Sequence, residues 1–228
     1  MYRKVLVVIA VAVLTAGYAQ AQVFVGGGLG VDFTGGKVKN GGTSVDLPSG
    51  FAFSFTPKVG YYVSDDFAIG LEVGLLTGTI KVPAYSGYSE EWKFNLTQWG
   101  VGAFARYQLA GVDKFSLLLE GSIGVQGAKT KETSGSTTEE GPSIFAFGIG
   151  VLPVLSYSVT DRLSIEASCD FLRLGFQSAT TKRSGNSDYK STTNTFGLGV
   201  NSQTINLDYD NEDISFSNLL TVGLIFKF

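Results

Sequence analysis

The chain has 228 residues, 44% apolar, 16% charged, with 17 Phe, 10 Tyr, 30 Gly and a formal charge of −3. It has no histidine and one cysteine, Cys169, which excludes Ser-His-Asp and Cys-His catalysis, His-ligated metals and an intramolecular disulfide. The mildly acidic balance offers no basic face for nucleic acid.

Arg3 and Lys4 precede an apolar run over 5–17, which is shorter than the roughly 20 residues of a spanning helix. Ala19-Gln20-Ala21 then supplies small residues in a cleavage pattern. The expectation is a signal peptide over 1–21 and a mature single domain over 22–228, with charge 15 − 20 = −5. An N-terminal anchor is the competing reading, and the Gly-rich sequence that follows at once argues against it. Cys169 is too distant from the signal to be a lipidated N-terminus. No mature segment nears 18 continuous apolar residues, which excludes helical spans.

Eight segments alternate with period two and predict strands. Residues 23–33 place Val23, Val25, Leu29, Val31 and Phe33 on one face and mostly Gly, then Asp32, on the other. Residues 51–63 set Phe51, Phe53, Phe55, Val59 and Tyr61 against Ser54, Thr56 and Lys58. Residues 67 to about 77 set Ile69, Leu71, Val73 and Leu75 against Gly70, Glu72 and Gly74. The fourth strand ends in Trp99, Val101, Ala103, Ala105, Tyr107 and Leu109, opposite Gln98, Gly100 and Arg106. Upstream, Trp92, Phe94 and Leu96 have the other parity, and a bulge near Thr97-Gln98 would reconcile the two. Residues 115–127, 145–157, 163 to about 171 and 216–228 complete the set.

The charges decide the face. Asp32, Lys58, Glu72, Arg106, Glu120, Glu166, Asp170 and Lys227 all lie on the less apolar side. An Arg or Lys facing lipid at mid-membrane costs about 2–4 kcal/mol. The small, Gly/Ser/Ala-rich side suits the lumen of an eight-stranded barrel, which has room only for side chains. Buried charges need partners, so Lys58, Arg106 and Lys227 are expected to pair with Asp32, Glu72, Glu120, Glu166 and Asp170.

Connections alternate in length. Residues 64–66, 110–114 and 159–162 are short. Residues 34–50, 78–91, 128–142 and 177–215 are long, and long loops are extracellular in such barrels. Both termini then lie in the periplasm. Tyr61, Phe67, Tyr107, Phe115, Tyr157 and Phe228 mark one rim. Phe33, Phe51, Phe145 and Phe171 mark the other, as interfacial girdles do. In the last loop, 196–200 and 204–209 could pair around Asn201-Ser202-Gln203 as an external hairpin. A ten-stranded barrel is the alternative, and a soluble barrel with its apolar face inward is the fold-level rival.

The ending Leu220-x-Val222-x-Leu224-x-Phe226-x-Phe228 resembles the terminal signal by which outer-membrane barrels engage the insertion machinery, an edge-strand pairing. Gly102-Ala103-Phe104-Ala105-Arg106-Tyr107, the strand after it, Leu155-Ser156-Tyr157 and Phe196-Gly197-Leu198-Gly199 resemble the small outer-membrane β-barrel proteins of Bacteroides-type bacteria, called porin-family or OmpA-like. The resemblance implies an all-β, closed antiparallel transmembrane barrel of eight strands and little about activity.

Candidate chemistry is sparse. Gly26-Gly27-Gly28-Leu29-Gly30 lacks the Gly-Lys-Ser/Thr and helix of a phosphate loop. Asp208, Asp210, Glu212 and Asp213 are acidic enough to suggest calcium, yet lack a calcium-loop pattern and read as a solvated loop. Cys169 reads as packing on the lipid face. No catalytic, metal or cofactor residue is assigned. The expected partners are outer-membrane lipid and lipopolysaccharide, the insertion machinery through Phe228, and an extracellular partner of unknown kind. The expected role is a non-enzymatic structural or surface-interaction protein. A small pore or transporter, and a lipid-modifying enzyme using luminal carboxylates, are the alternatives.

Overall fold

The computed structural model describes residues 23–84, 91–169, 172–183, 190–198, 206–209, 212–215 and 220–228. The expected signal peptide lies outside them. Among the described residues there are fourteen strands: β1 (Val23–Thr34), β2 (Lys37–Asn40), β3 (Thr43–Asp46), β4 (Ser49–Tyr62), β5 (Phe67–Val82), β6 (Trp92–Val112), β7 (Phe115–Ser134), β8 (Thr137–Ser158), β9 (Leu163–Cys169), β10 (Leu174–Lys182), β11 (Lys190–Leu198), β12 (Asn206–Tyr209), β13 (Glu212–Ser215) and β14 (Leu220–Lys227).

Eight of them close an antiparallel barrel. β1, β4, β5, β6, β7 and β8 are neighbours in chain order, β8 pairs with β9, β9 with β14, and β14 with β1. The last residues seal the ring at its base: Phe228 N–H donates to Val23 O at 3.0 Å and Lys227 N–H to Arg162 O at 2.7 Å. Each of the eight strands thus has a paired neighbour on both sides, as a wall in hydrocarbon requires.

The apolar face points outward. Leu29, Val59, Leu71, Val101, Ile123, Ile149 and Leu224 are all exposed, Leu71 at 61%. Ser54, Gln98, Arg106, Glu120, Gln126, Ser156 and Ser164 are buried inside. The arrangement inverts a soluble core, and a carrier that holds a ligand in an apolar interior does not fit it. The rims carry paired rings: Phe115–Tyr157 at 4.8 Å, Phe226–Phe228 at 5.2 Å and Phe33–Phe51 at 5.1 Å between centroids.

Four expectations need correction. The bulge near Thr97-Gln98 is absent, because the register runs unbroken through Leu75↔Trp99, Leu76↔Gln98 and Thr77↔Thr97. The irregularity in β6 falls at Gln108–Ala110 instead. Leu96 and Gln98 share the inward face, so the parity change marks where β6 leaves the hydrocarbon. Above that level Leu76, Leu96, Ala128 and Ile144 form an inward apolar cluster of the ordinary water-facing kind.

Second, the long loops are largely strand. β6, β7 and β8 run 21, 20 and 22 residues, against the 9–11 a span needs. The surplus is about ten residues, roughly 30 Å of ladder, continuous with the wall. β7 and β8 meet at Gly135 (φ +55°), and β2 and β3 at Gly41 and Gly42 (φ +56° and +89°). Two successive positive φ values are the signature of a two-residue type I′ hairpin.

Third, 174–182 is no part of a loop. β8 pairs Val154 with Ser168 and then Val151 with Leu174, so the seventh wall strand carries three more residues than the β8 segment it faces. Below that offset it pairs with β14, and above it with β11. Fourth, the described parts of 196–200 and 204–209 do not pair with each other, and 199–205 lie outside the described residues. Lys190–Leu198 pairs with Leu174–Lys182, and Asn206–Tyr209 with Glu212–Ser215. β10 thus takes over from β9 beside β8 from Val151 onward, and β11 pairs with β10, so the two are additional to the eight strands that close the ring.

Candidate functional site

The charged residues converge at one level of the lumen. Register sets this up: Lys58 on β4 faces Glu72 on β5, and Arg106 on β6 faces Glu120 on β7. Glu166 on β9 completes the group from across the barrel. Arg106 donates to Glu120 Oε2 from Nε at 3.2 Å and from Nη2 at 2.5 Å. The other side of its fork reaches Glu166, Nη1 to Oε1 at 2.8 Å and Nη2 to Oε2 at 3.2 Å. Lys58 Nζ lies 2.5 Å from Glu120 Oε1 and 3.3 Å from Glu72 Oε2. Planar, multi-donor arginine is the residue suited to hold two carboxylates at once.

Rings lie against the cations. The Arg106 guanidinium lies 5.2 Å from both the Phe24 and Phe104 ring centres, and Lys58 Nζ lies 5.1 Å from Phe104. Such contacts strengthen when desolvated. Phe24, Ala68, Phe104 and Ile225 are buried together, with Tyr62 against them. Space for the rings comes from the opposing strands. A methyl at Gly60 would strike the Phe24 ring, and one at Gly70 the Phe104 ring. Leu118, Leu152 and Val154 form a further inward cluster beside Glu120.

This layer divides the tube. A small cleft lies toward the hairpin end, lined by Gln98, Ser122, Gln126, Glu72 and Arg173. Another, lined by Tyr62, Arg106, Ser156 and Lys227, lies toward the short turns. Arg173 Nη1 donates to Ser122 Oγ at 3.1 Å and holds the upper wall. Arg106 and Glu120 side chains, 2% and 3% exposed, stand between.

Of the predicted luminal groups, Lys58, Glu72, Arg106, Glu120 and Glu166 are brought together. Lys227 departs from expectation: its Nζ sits 5.1 Å from the Tyr62 ring centre. Asp32 is six positions along β1 from Gly26, the partner of Lys58, and so lies near the hairpin end, outside the cluster. Asp170, Phe171 and the side chains of Cys169 and of the acidic group 208–213 lie outside the described residues. The glycine run 26–30 is in β1, with no helix after it. The roles of Phe24, Phe104 and Arg173 went unread. For the two rings the available signal was parity, since each is a large side chain on the small face directly opposite a glycine.

Chemically the cluster fixes charge in place. Both oxygens of Glu120 accept hydrogen bonds from cations, and a small luminal cleft bordered by Lys58, Glu72, Glu120, Glu166 and Arg173 lies beside the cluster. Among the described residues no group of three or more His, Cys, Asp or Glu is arranged to hold a metal.

The sequence profile described as "Outer membrane protein beta-barrel domain" matches residues 6–203. The chain belongs to that family. An outer-membrane location goes with it. No curated protein matches the chain. Among solved structures, the barrel is similar to the Neisserial surface protein A, at 17% identity and TM-score 0.37, covering 90% of this chain and 97% of that one. It is similar to the attachment invasion locus protein Ail of Yersinia pestis, at 14% identity and TM-score 0.37, covering 91% and 99%. A major outer membrane protein from Thermus thermophilus is similar at 13% identity and TM-score 0.39, covering 91% and 99%.

Proposed function

We propose that this outer-membrane barrel is a non-enzymatic scaffold of the small porin-family or OmpA-like kind. It is closed to solutes and presents a crown of β-hairpins to the cell exterior for contact with an extracellular partner. Both termini then face the periplasm, and the edge ending in Phe228 is the part offered to the insertion machinery. The observation that carries the reading is the crossed lumen, where Lys58, Arg106, Glu72, Glu120 and Glu166 bridge opposite walls above a packed aromatic layer. The ladders that extend about ten residues past the span support the crown.

Purified protein in planar bilayers is expected to give no stepwise current. Regular conductance steps from the folded protein would overturn the closed-scaffold reading in favour of a pore. Trypsin on intact cells is expected to cut at Lys39 beside the β2–β3 turn, while a C-terminal tag stays inaccessible until the outer membrane is permeabilised. A tag readily labelled on intact cells would reverse the orientation. Turnover of outer-membrane lipid that vanishes in Glu120→Gln would replace the scaffold with an enzyme.

A further inference from the structure

The outward face of β5, β6 and β7 changes character within one step. Below it are Leu75, Trp99, Val101 and Val125, which face hydrocarbon. Above it are Thr77, Thr97 and then four lysines, Lys81, Lys93, Lys129 and Lys131. Register places them close. Lys81 is directly opposite Lys93, Asn95 opposite Lys131 and Thr97 opposite Lys129. Diagonal cross-strand neighbours are about 7–8 Å apart, so Lys93 and Lys131 are also adjacent.

Like charges directly opposite on a sheet are destabilising. Among the described residues none of the four has a carboxylate within 4 Å. The outward positions of β5 and β6 carry no acid, and Glu140, across from Lys131 on β8, is the nearest acidic register partner. This face therefore holds a net excess of positive charge at the headgroup level, with Lys81, Lys93 and Lys129 lacking an acidic register partner. Trp99 adds an interfacial handle. A Cβ at Gly127 would fall 2.8 Å from its indole, so the ring lies over Gly127, one position below Lys129 on that face.

A second feature lies beneath on the same strands. Ala103, Ala105 and Gly121 leave a depression between Leu71, Ile123 and Val151, part of an apolar groove on the outer wall that continues to Leu174, Phe176 and Phe196. Ala103 is six residues from Thr97, roughly 20 Å of strand. At a tilt of about 40° that is roughly 15 Å of depth, half of a hydrocarbon core of about 30 Å. One lipid of the outer leaflet spans that distance.

We infer that β5–β7 form a seat for a phosphate-bearing lipid, with the headgroup phosphates on Lys81, Lys93, Lys129 and Lys131 and an acyl chain in the groove at Ala103–Ala105–Gly121. The lysines select the anionic headgroup and the groove selects a lipid over a free anion. The inference rests on the proposed orientation only for which leaflet supplies the lipid, since binding in detergent does not depend on orientation.

The test is native mass spectrometry of the folded full-length protein in mild detergent, with lipid A, dephosphorylated lipid A and inorganic phosphate as probes. The wild type should retain lipid A, release the dephosphorylated form, and keep lipid A against excess inorganic phosphate. Lys81→Gln/Lys93→Gln/Lys129→Gln/Lys131→Gln should weaken retention by roughly six hundredfold, since each of four lysines near an anionic surface is worth roughly fivefold. Lys37→Gln/Lys39→Gln, on the β2–β3 hairpin, should leave it unchanged. Equal retention of the dephosphorylated lipid, displacement by inorganic phosphate, or an undiminished quadruple variant would each overturn the seat. If the quadruple variant fails to show the heat-shifted gel band of a folded barrel, Ala103→Leu decides. It fills the groove, and retention as strong as wild type would also overturn the proposal.

Discussion

Glu120→Leu is expected to destabilise the folded barrel by about 3–5 kcal/mol, the range for breaking a buried ion pair from one side. Glu120 is the hub. It accepts from Lys58 and from two nitrogens of Arg106, and its removal leaves two cations in a space that solvent barely reaches. Glu72 still faces Lys58, and Glu166 still faces Arg106, so the loss is concentrated on the half of each cation that pointed at Glu120. Replacing Lys58, Arg106, Glu72, Glu120 and Glu166 together with apolar residues of similar volume should cost far less, because each ion also escapes its desolvation penalty. Urea unfolding in lipid vesicles, followed by tryptophan fluorescence and the heat shift on gels, measures both. A single-site loss below about 1 kcal/mol would mean that water enters the layer and screens it.

Ile123→Arg is the second large effect, at about 2–4 kcal/mol. Ile123 is exposed, yet what it faces is hydrocarbon, midway between Phe115 and the lysine level on β7. Thr97→Arg, on the neighbouring β6 and beside Lys129, is expected to cost only about 0–1 kcal/mol, as charges near the interface do. The pair is informative because both side chains are exposed and both strands are central in the sheet. Equal penalties at the two sites would contradict the position assigned to the bilayer. A negligible penalty at Ile123 would show that this face meets water.

Alternation read from the residues alone located all eight wall strands and the face that meets lipid. It succeeded because hydrocarbon enforces the pattern: no charge lies on the odd positions from Val23 to Val31, or from Trp99 to Leu109. It failed where the enforcement stops. Trp92, Phe94 and Leu96 are apolar and inward, while Lys93, Asn95 and Thr97 are polar and outward, which is the rule for a sheet in water. A single parity rule stretched over both regimes demanded a bulge that the hydrogen-bond ladder does not contain. Residues 128–142 read as loop because Lys129, Lys131 and Thr133 carry no apolar signal. Their pairing is inherited from the ladder already running below them. Lys190–Leu198 is a similar case, with three threonines matched to a β10 that carries two, and with Thr180 and Thr192 hydroxyls 3.1 Å apart.

The luminal cluster was legible in composition and only partly in geometry. Lys58, Arg106, Glu72, Glu120 and Glu166 could be assigned to one face by counting. Which pairs meet depended on strand stagger, which parity does not report. Lys227 and Asp32 share that face yet stand at different heights. Phe24 and Phe104 were hidden by the glycine-rich neighbourhood that makes room for them.

The long ladders of β6, β7 and β8, which carry register shifts at Gln108–Ala110 and Lys129–Lys131 but no connecting loop, bear on mechanics. No linker separates the exposed tips from the embedded wall, so the tips have no pivot of their own. A tug outward on a tip runs along the strands. It loads their many transverse hydrogen bonds side by side instead of peeling them in succession, and the strain passes directly into the part gripped by the bilayer. A tether built this way shares its load among neighbouring strands before any one of them yields.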